Sequence, residues 1–150
     1  MNLYEEFFSI VRAFHGKGIR YALVGGLSLA FHDRPRFTRD IDFLVNPEDL
    51  GEIRDALASL GYRQTAPAWT FKDSTLTLHR FLKPGEDDEI VVDVIAADES
   101  HLDVLADAIQ ADSDAGPVPV ARKQDVVRLK RLRNSKQDQA DIEALGDDKN

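Results

Sequence analysis

A β-type run, Tyr21-Ala22-Leu23-Val24, stops at two glycines, and a second, over residues 41–45, is entered through Asp40-Ile41-Asp42. This pair of features constrains the chain more than any other. Strand side chains alternate between faces, so Asp40 and Asp42 project to the same side. Two carboxylates about 4 Å apart repel by roughly 4 kcal/mol at an effective dielectric of about 20, a cost that a cation between them removes. Glycines at a strand-to-helix turn let backbone N–H groups come close to a phosphate. Metal-binding carboxylates beside a phosphate cradle point to phosphoryl or nucleotidyl transfer.

A third carboxylate joins them. Residues 90–95 read Ile-Val-Val-Asp-Val-Ile, and an aspartate inside an otherwise apolar strand is expensive to bury without a partner. Alternation puts Asp93 on the face of Val91 and Ile95. With this strand beside the Asp40–Asp42 strand, three carboxylates converge. Such a set fits two Mg2+ ions, or Mn2+ in their place, bridging a nucleoside triphosphate. One ion would position the triphosphate; the other would lower the pKa of the attacking hydroxyl, with Asp93 as its ligand or the proton acceptor.

The remaining pattern alternates helix and strand. Leu3, Phe7, Ile10, Val11 and Phe14 have helical spacing, ended by Gly16 and Gly18. Residues 20–24 read as a strand, 27–32 as a short helix, 33–39 as a loop and 41–45 as a strand. Asn46 caps a helix with Pro47 at its first position and Gly61 at its end. Strands are expected over 70–72, 76–82 and 90–95, with 83–88 as a hairpin turn. A helix is expected over 101–110, a loop over 111–119, and helices over 122–133 and 137–145. The fold class is therefore α/β (α+β), a small mixed sheet flanked by helices in one domain over 1–145, with a mobile polar tail over 146–150.

Composition narrows the setting. The chain has 150 residues and no cysteine, which excludes disulfides and Cys-based zinc sites. No apolar run approaches the roughly 18 residues that span a membrane, and the N-terminus lacks a signal-peptide pattern. The expectation is a cytoplasmic protein with no membrane partner. A net charge of −8 argues against general electrostatic binding of nucleic acid. Yet residues 122–136 hold seven Lys/Arg and one acid, Asp125. This basic element could hold a triphosphate or an RNA end, or be a solvated helix face.

Several single residues have two readings. On a helical wheel Val126, Leu129 and Leu132 define a buried arc flanked by Lys130 and Arg133, while Arg128 and Arg131 point away. Lys130 either snorkels to water or reaches the triphosphate. Arg36, in the loop before the carboxylates, either neutralises phosphate charge or pairs with an acid. Trp69 and Phe71, at alternate positions, read as core rather than as a base-stacking pair. Asp138 and Asp141 read as ordering the last helix by pairing with Arg or Lys. The four histidines lack metal-ligand spacing.

Gly25-Gly26, thirteen intervening residues, Asp40-Ile41-Asp42, and a later strand-borne Asp93 together resemble the nucleotidyltransferase superfamily signature. That superfamily includes DNA polymerase beta, the minimal nucleotidyltransferases and the AbiEii/MenT-type toxins. Val24-Gly25-Gly26-Leu27-Ser28-Leu29-Ala30 and Arg36-Phe37-Thr38-Arg39-Asp40-Ile41-Asp42 are most similar to the AbiEii-like branch, as is Asp125, Lys130, Lys136, Asp138 and Asp141-Ile142-Glu143-Ala144-Leu145. The resemblance spans residues 20–145. It implies the nucleotidyltransferase fold, with Asp40, Asp42 and Asp93 as catalytic metal ligands. Gly25, Gly26 and Ser28 would cradle the triphosphate, with Arg36 and Lys130 as further nucleotide-binding residues. The implied reaction is Mg2+-dependent transfer of a nucleoside monophosphate from an NTP such as ATP to an acceptor hydroxyl on a tRNA end, a protein or a small molecule. A toxin–antitoxin role, with a cognate partner protein, follows from the branch. The alternative is a non-catalytic nucleotide-binding module, antitoxin or scaffold subunit of the same fold.

Overall fold

The helical and alternating patterns resolve into two layers of helix around one mixed sheet. The computed structural model describes residues 1–72 and 74–146. Its elements run α1 (Leu3–Gly16), β1 (Tyr21–Val24), α2 (Gly25–Phe31), β2 (Asp40–Val45), a 3-10 turn (Pro47–Asp49), α3 (Leu50–Ser59), β3 (Arg63–Gln64), β4 (Trp69–Thr70), β5 (Thr77–Pro84) and β6 (Glu89–Ala96). A second 3-10 turn (Glu99–His101), α4 (Leu102–Ala106), β7 (Ile109–Ala111), β8 (Val118–Val120), α5 (Lys123–Arg133) and α6 (Lys136–Leu145) complete it. The strand order is β3-β5-β6-β2-β1-β8-β7, with β4 also on β5.

β1 and β2 are antiparallel, β2 and β6 parallel, and β5 and β6 form the antiparallel hairpin expected around residues 83–88. One sheet face carries Leu23, Ile41, Phe43, Val45, Val92 and Val94 against Phe7, Ile10, Val11 and Phe14 of α1 and Ile53 and Leu57 of α3. The other carries Ala22, Val24, Leu44, Leu78 and Ile95 against Val126, Val127 and Leu129 of α5 and Ile142 and Leu145 of α6. Local chemistry starts and stops these helices. Asn2 accepts from Glu5 N at the start of α1, and Ser135 and Asp138 form a reciprocal capping box at the start of α6.

Two expectations are corrected. Residues 101–110 are not one helix: α4 ends at Ala106, and Ile109–Ala111 is a strand. The segment read as a loop over 111–119 is the turn of a hairpin whose second strand, β8, pairs in parallel with β1. Turn-forming residues dominate that stretch and hide a three-residue strand whose partner lies far upstream. Of the tail expected over 146–150, Gly146 is the left-handed cap of α6 (φ 76°), and the rest lies outside the described residues. No helix among the described residues is long and apolar enough to cross a membrane.

Candidate functional site

Strand register aligns the charged residues. Val24 lies opposite Asp42, Asp42 opposite Asp93, and Asp93 opposite Arg80, so one transverse row crosses β1, β2, β6 and β5. Leu44 and Ile95, two residues further along their strands, belong to the core beneath α5 and α6. Alternation therefore turns Asp40, Asp42 and Asp93 toward that same face. Asp42 is 5% exposed and Asp93 1%, while Asp40 is open to solvent.

The glycine turn is built around this row. Gly25 has φ +70°, a left-handed conformation that favours glycine. A Cβ there would also overlap Asp42 Oδ2, and a Cβ on Gly26 would press into the Arg36 guanidinium. The Asp42 carboxylate thus reaches the turn itself. Ser28 is fully buried, and its hydroxyl donates to the Gly25 carbonyl at 2.6 Å, which closes the first turn of α2.

Burial, then Asp93, pushes the Asp42 carboxyl up to about 7; Arg133 and Lys130 pull the other way and Asp40 adds to the rise. Burial and Asp93 also raise Asp40. Burial beside two other carboxylates makes Asp42 an acid that stays protonated or takes a cation. Asp93 has one already: Arg80 Nε and Nη2 donate to its two oxygens at 2.8 and 2.9 Å. Among the described residues no three carboxylate or imidazole groups form a ready-made metal cluster, and Arg80 holds the third carboxylate as a bidentate pair. The donor chemistry of Asp40 and Asp42, hard oxygen ligands beside a turn of backbone N–H groups, still fits a divalent ion such as Mg2+.

The cations expected to meet phosphate form a second layer. Lys130 is 3% exposed, with Nζ 2.8 Å from Asp141 Oδ2 and 3.8 Å from Asp138 Oδ1. Arg36 donates twice to the same Asp141, at 2.7 and 2.9 Å. Arg133 donates twice to Asp138, at 2.9 and 2.7 Å. Against the cost of burial, hydrogen bonds from Arg133 and Ser135 hold the Asp138 carboxyl at about 2, and those from Arg36 and Lys130 hold Asp141 below its usual range. The pairing expected for Asp138 and Asp141 is thus present, and it ties α6 to α5 and to the loop before β2.

A narrow cleft lies over the row, lined by Val24, Gly25, Asp42, Leu129, Lys130 and Arg133 with Phe71 and Ile95. Two of the flanking cations were not singled out as site residues from sequence. Arg80 sits in the alternation of β5, whose register with Asp93 no local pattern reveals. Arg133 did carry a signal, its place on the helical wheel beside Lys130. Trp69 departs from its reading as core, since it is 41% exposed. Three histidines have ordinary partners: His15 with Tyr21, His32 with the Ala121 carbonyl and His101 with Asp98.

Among curated proteins none matches the chain. Among solved structures it is similar to the antibiotic-resistance factor ANT(2'')-Ia (TM-score 0.63, 16% identity, covering 100% of this chain and 86% of that one), a protein also known in complex with adenylyl-2''-tobramycin. It is similar to the lincosamide antibiotic adenylyltransferase LnuA with lincomycin bound (TM-score 0.61, 13% identity, 95% of both chains). A third likeness is to a Thermotoga maritima protein described as a nucleotidyltransferase (TM-score 0.62, 16% identity, 90% and 88%). At these identities the likeness is one of fold. The family model described as uncharacterised nucleotidyltransferase matches residues 1–128, and the chain belongs to that nucleotidyltransferase family.

Proposed function

We propose that the protein transfers a nucleoside monophosphate from an NTP to an acceptor hydroxyl and releases pyrophosphate. One observation carries this reading above all: the buried Asp42 carboxylate lies between the Gly25 turn and Asp93 in one register row. Adenylyl transfer by the fold neighbours named above favours ATP as the donor. Backbone N–H groups of Gly25 and Gly26 would meet the phosphates, with Lys130, Arg133 and Arg36 exchanging part of their pairing with Asp138 and Asp141 for phosphate oxygens. Asp40 and Asp42 would hold a divalent metal, Mg2+ or Mn2+, with Asp93 as the third ligand. Such an ion, when bound, neutralises charge on the triphosphate and lowers the pKa of a hydroxyl beside it. Asp93 would accept the acceptor's proton. The chain's own contribution is then placement and charge neutralisation.

The similarity of residues 24–42 and 125–145 to the AbiEii-like branch supports a toxin–antitoxin setting with a cognate partner protein. The Arg80–Asp93 pair favours a second reading, a nucleotide-binding module without turnover, because both oxygens of the third carboxylate are engaged. The test is pyrophosphate release from each NTP with Mg2+ and with total RNA, total protein or small hydroxylic compounds as acceptors. Release that disappears in Asp42→Asn supports transfer. Saturable NTP binding with no release under any acceptor supports the module, and no NTP binding at all refutes both.

A further inference from the structure

Beyond Arg80 the row runs into an aromatic platform. Trp69, the chain's one tryptophan, stands on β4 opposite Leu78 of β5. The Arg80 guanidinium that grips Asp93 also lies 5.2 Å from the Trp69 ring centroid, within cation–π range. A second, wider cleft opens here, lined by Trp69, Phe71, Lys72, Arg80 and Arg133. It meets the first cleft at Phe71 and Arg133, which line both. Across the sheet the order is therefore Gly25 turn, Asp42, Asp93, Arg80, Trp69. Three strand spacings of about 4.8 Å put β4 roughly 14 Å from β2.

This order has a chemical direction. Phosphates at the Gly25 end leave the far side of Asp93 for the incoming hydroxyl. The hydroxyl oxygen bonds to the α-phosphorus, the bond from that phosphorus to the bridging oxygen of pyrophosphate breaks, and the hydroxyl proton passes to Asp93. The rest of the acceptor must then lie over β5 and β4. There it meets an exposed indole ring and the cations Lys72, Arg80 and Arg133, on a chain whose net charge is −8. An exposed ring beside arginine and lysine suits a stacked base and its phosphate.

We propose that this second cleft is the acceptor subsite and takes a nucleobase carrying a phosphate, the base stacked on Trp69 and the phosphate on Lys72. The proposal rests on the nucleotidyl-transfer reading, but its test does not need turnover. Trp69 is its own reporter. The intact protein is titrated with adenosine 5′-monophosphate, a single-stranded RNA hexanucleotide with a free 3′ hydroxyl, tobramycin and lincomycin, following tryptophan fluorescence. The expected result is saturable quenching by a nucleotide ligand, at least roughly tenfold tighter than by either antibiotic, with tenfold weakening in Lys72→Glu. Trp69→Leu, followed by anisotropy of labelled RNA, should weaken binding by a similar factor. Tighter binding of the hexanucleotide assigns a strand end, and equal affinities assign a free nucleotide; both uphold the subsite. Absence of quenching by either nucleotide ligand, or tighter binding of an antibiotic, overturns it. So does loss of the response once the donor site is saturated with Mg2+ and a non-hydrolysable ATP analogue, which makes the platform the donor's own base site. Quenching without pyrophosphate release would leave the subsite standing and sink the transfer reading; release without quenching would do the reverse.

Discussion

Replacing Asp42 with asparagine tests the electrostatics of the row in a single substitution. In the absence of metal the Asp42 carboxyl is pushed from 3.8 up to about 7, first by burial and then by Asp93. The folded state thus favours the neutral acid. The stability this group contributes is complete below about pH 4, falls as pH rises, and is lost above about pH 7. Three pKa units at about 1.4 kcal/mol each amount to roughly 4 kcal/mol over that window. Asparagine keeps the shape of the side chain and cannot ionise. The stability of Asp42→Asn minus that of the parent should therefore be flat below pH 4, climb by up to about 4 kcal/mol between pH 4 and 7, and level off. For a chain of this size that is roughly 8–16 °C in melting temperature.

The assay is urea unfolding in chelator at half-unit steps from pH 4 to 8.5, with the difference curve as the readout so that titrating groups remote from the row cancel. Mg2+ added at pH 8 should stabilise the parent by mass action and close much of the gap, while abolition of transfer accompanies the gain in metal-free stability. Parallel curves for variant and parent from pH 4 to 8, or a variant less stable at pH 8, would refute the picture of Asp42 as an uncompensated buried acid.

Two further substitutions probe the turn and the cation layer. Gly25→Ala should lose about 1–2 kcal/mol for its left-handed backbone alone and more for displacing Asp42, whereas Gly26→Ala displaces only the far end of Arg36 and should cost less; urea midpoints give the order, and equal losses would count against the close approach of Asp42. Lys130→Ala should weaken NTP binding by roughly 1–3 kcal/mol, while Arg128→Ala, whose guanidinium is held by Asp103 and Asp125, should change it little; calorimetric titration that finds both variants equal to the parent would remove Lys130 from the site.

What the sequence made legible follows from what is local. Alternation places Asp40 with Asp42, and Asp93 with Ile95, because a strand's period needs no partner to be read. The Gly-Gly turn and the caps of α1 and α6 are likewise short-range. Strand neighbourhood is not. That β6 lies beside β2, with Asp93 opposite Asp42 rather than Asp40 or Leu44, depends on pairing across a third of the chain. β8 is hidden for that reason, since no residue near Val120 announces its pairing with β1; Arg80 faces Asp93 within the expected hairpin, whose exact register the turn residues alone do not fix. Trp69 was misread because two-residue spacing fits a core strand as well as an exposed edge; only the shortness of β4 and its place at the sheet margin leave the ring open.

The site nevertheless depends on the parts of the sequence with no charge at all. A one-residue slip of β6 against β2 would turn Asp93 to the opposite face, and a two-residue slip would move it beside Asp40 or Leu44. Repulsion among the carboxylates favours any such escape. It is opposed from the other side of the sheet, where Ile41, Phe43 and Val45 alternate with the acids on β2 and Val92 and Val94 flank Asp93 on β6. Each large apolar side chain buried there contributes about 1.5–3 kcal/mol. Phe43 alone packs on the rings of Phe7, Phe14 and Tyr21. Helix α1 carries none of the proposed site residues, yet by fixing the faces of β2 and β6 it holds the acids in a row that their own charges would disperse. The cation layer closes the same problem from above: α6, through Asp138 and Asp141, keeps Lys130, Arg133 and Arg36 over the carboxylates. An acidic row locked by an apolar core beneath and overlain by already paired cations is poised for a ligand that supplies both charges, a divalent ion for the acids and phosphate oxygens for the cations.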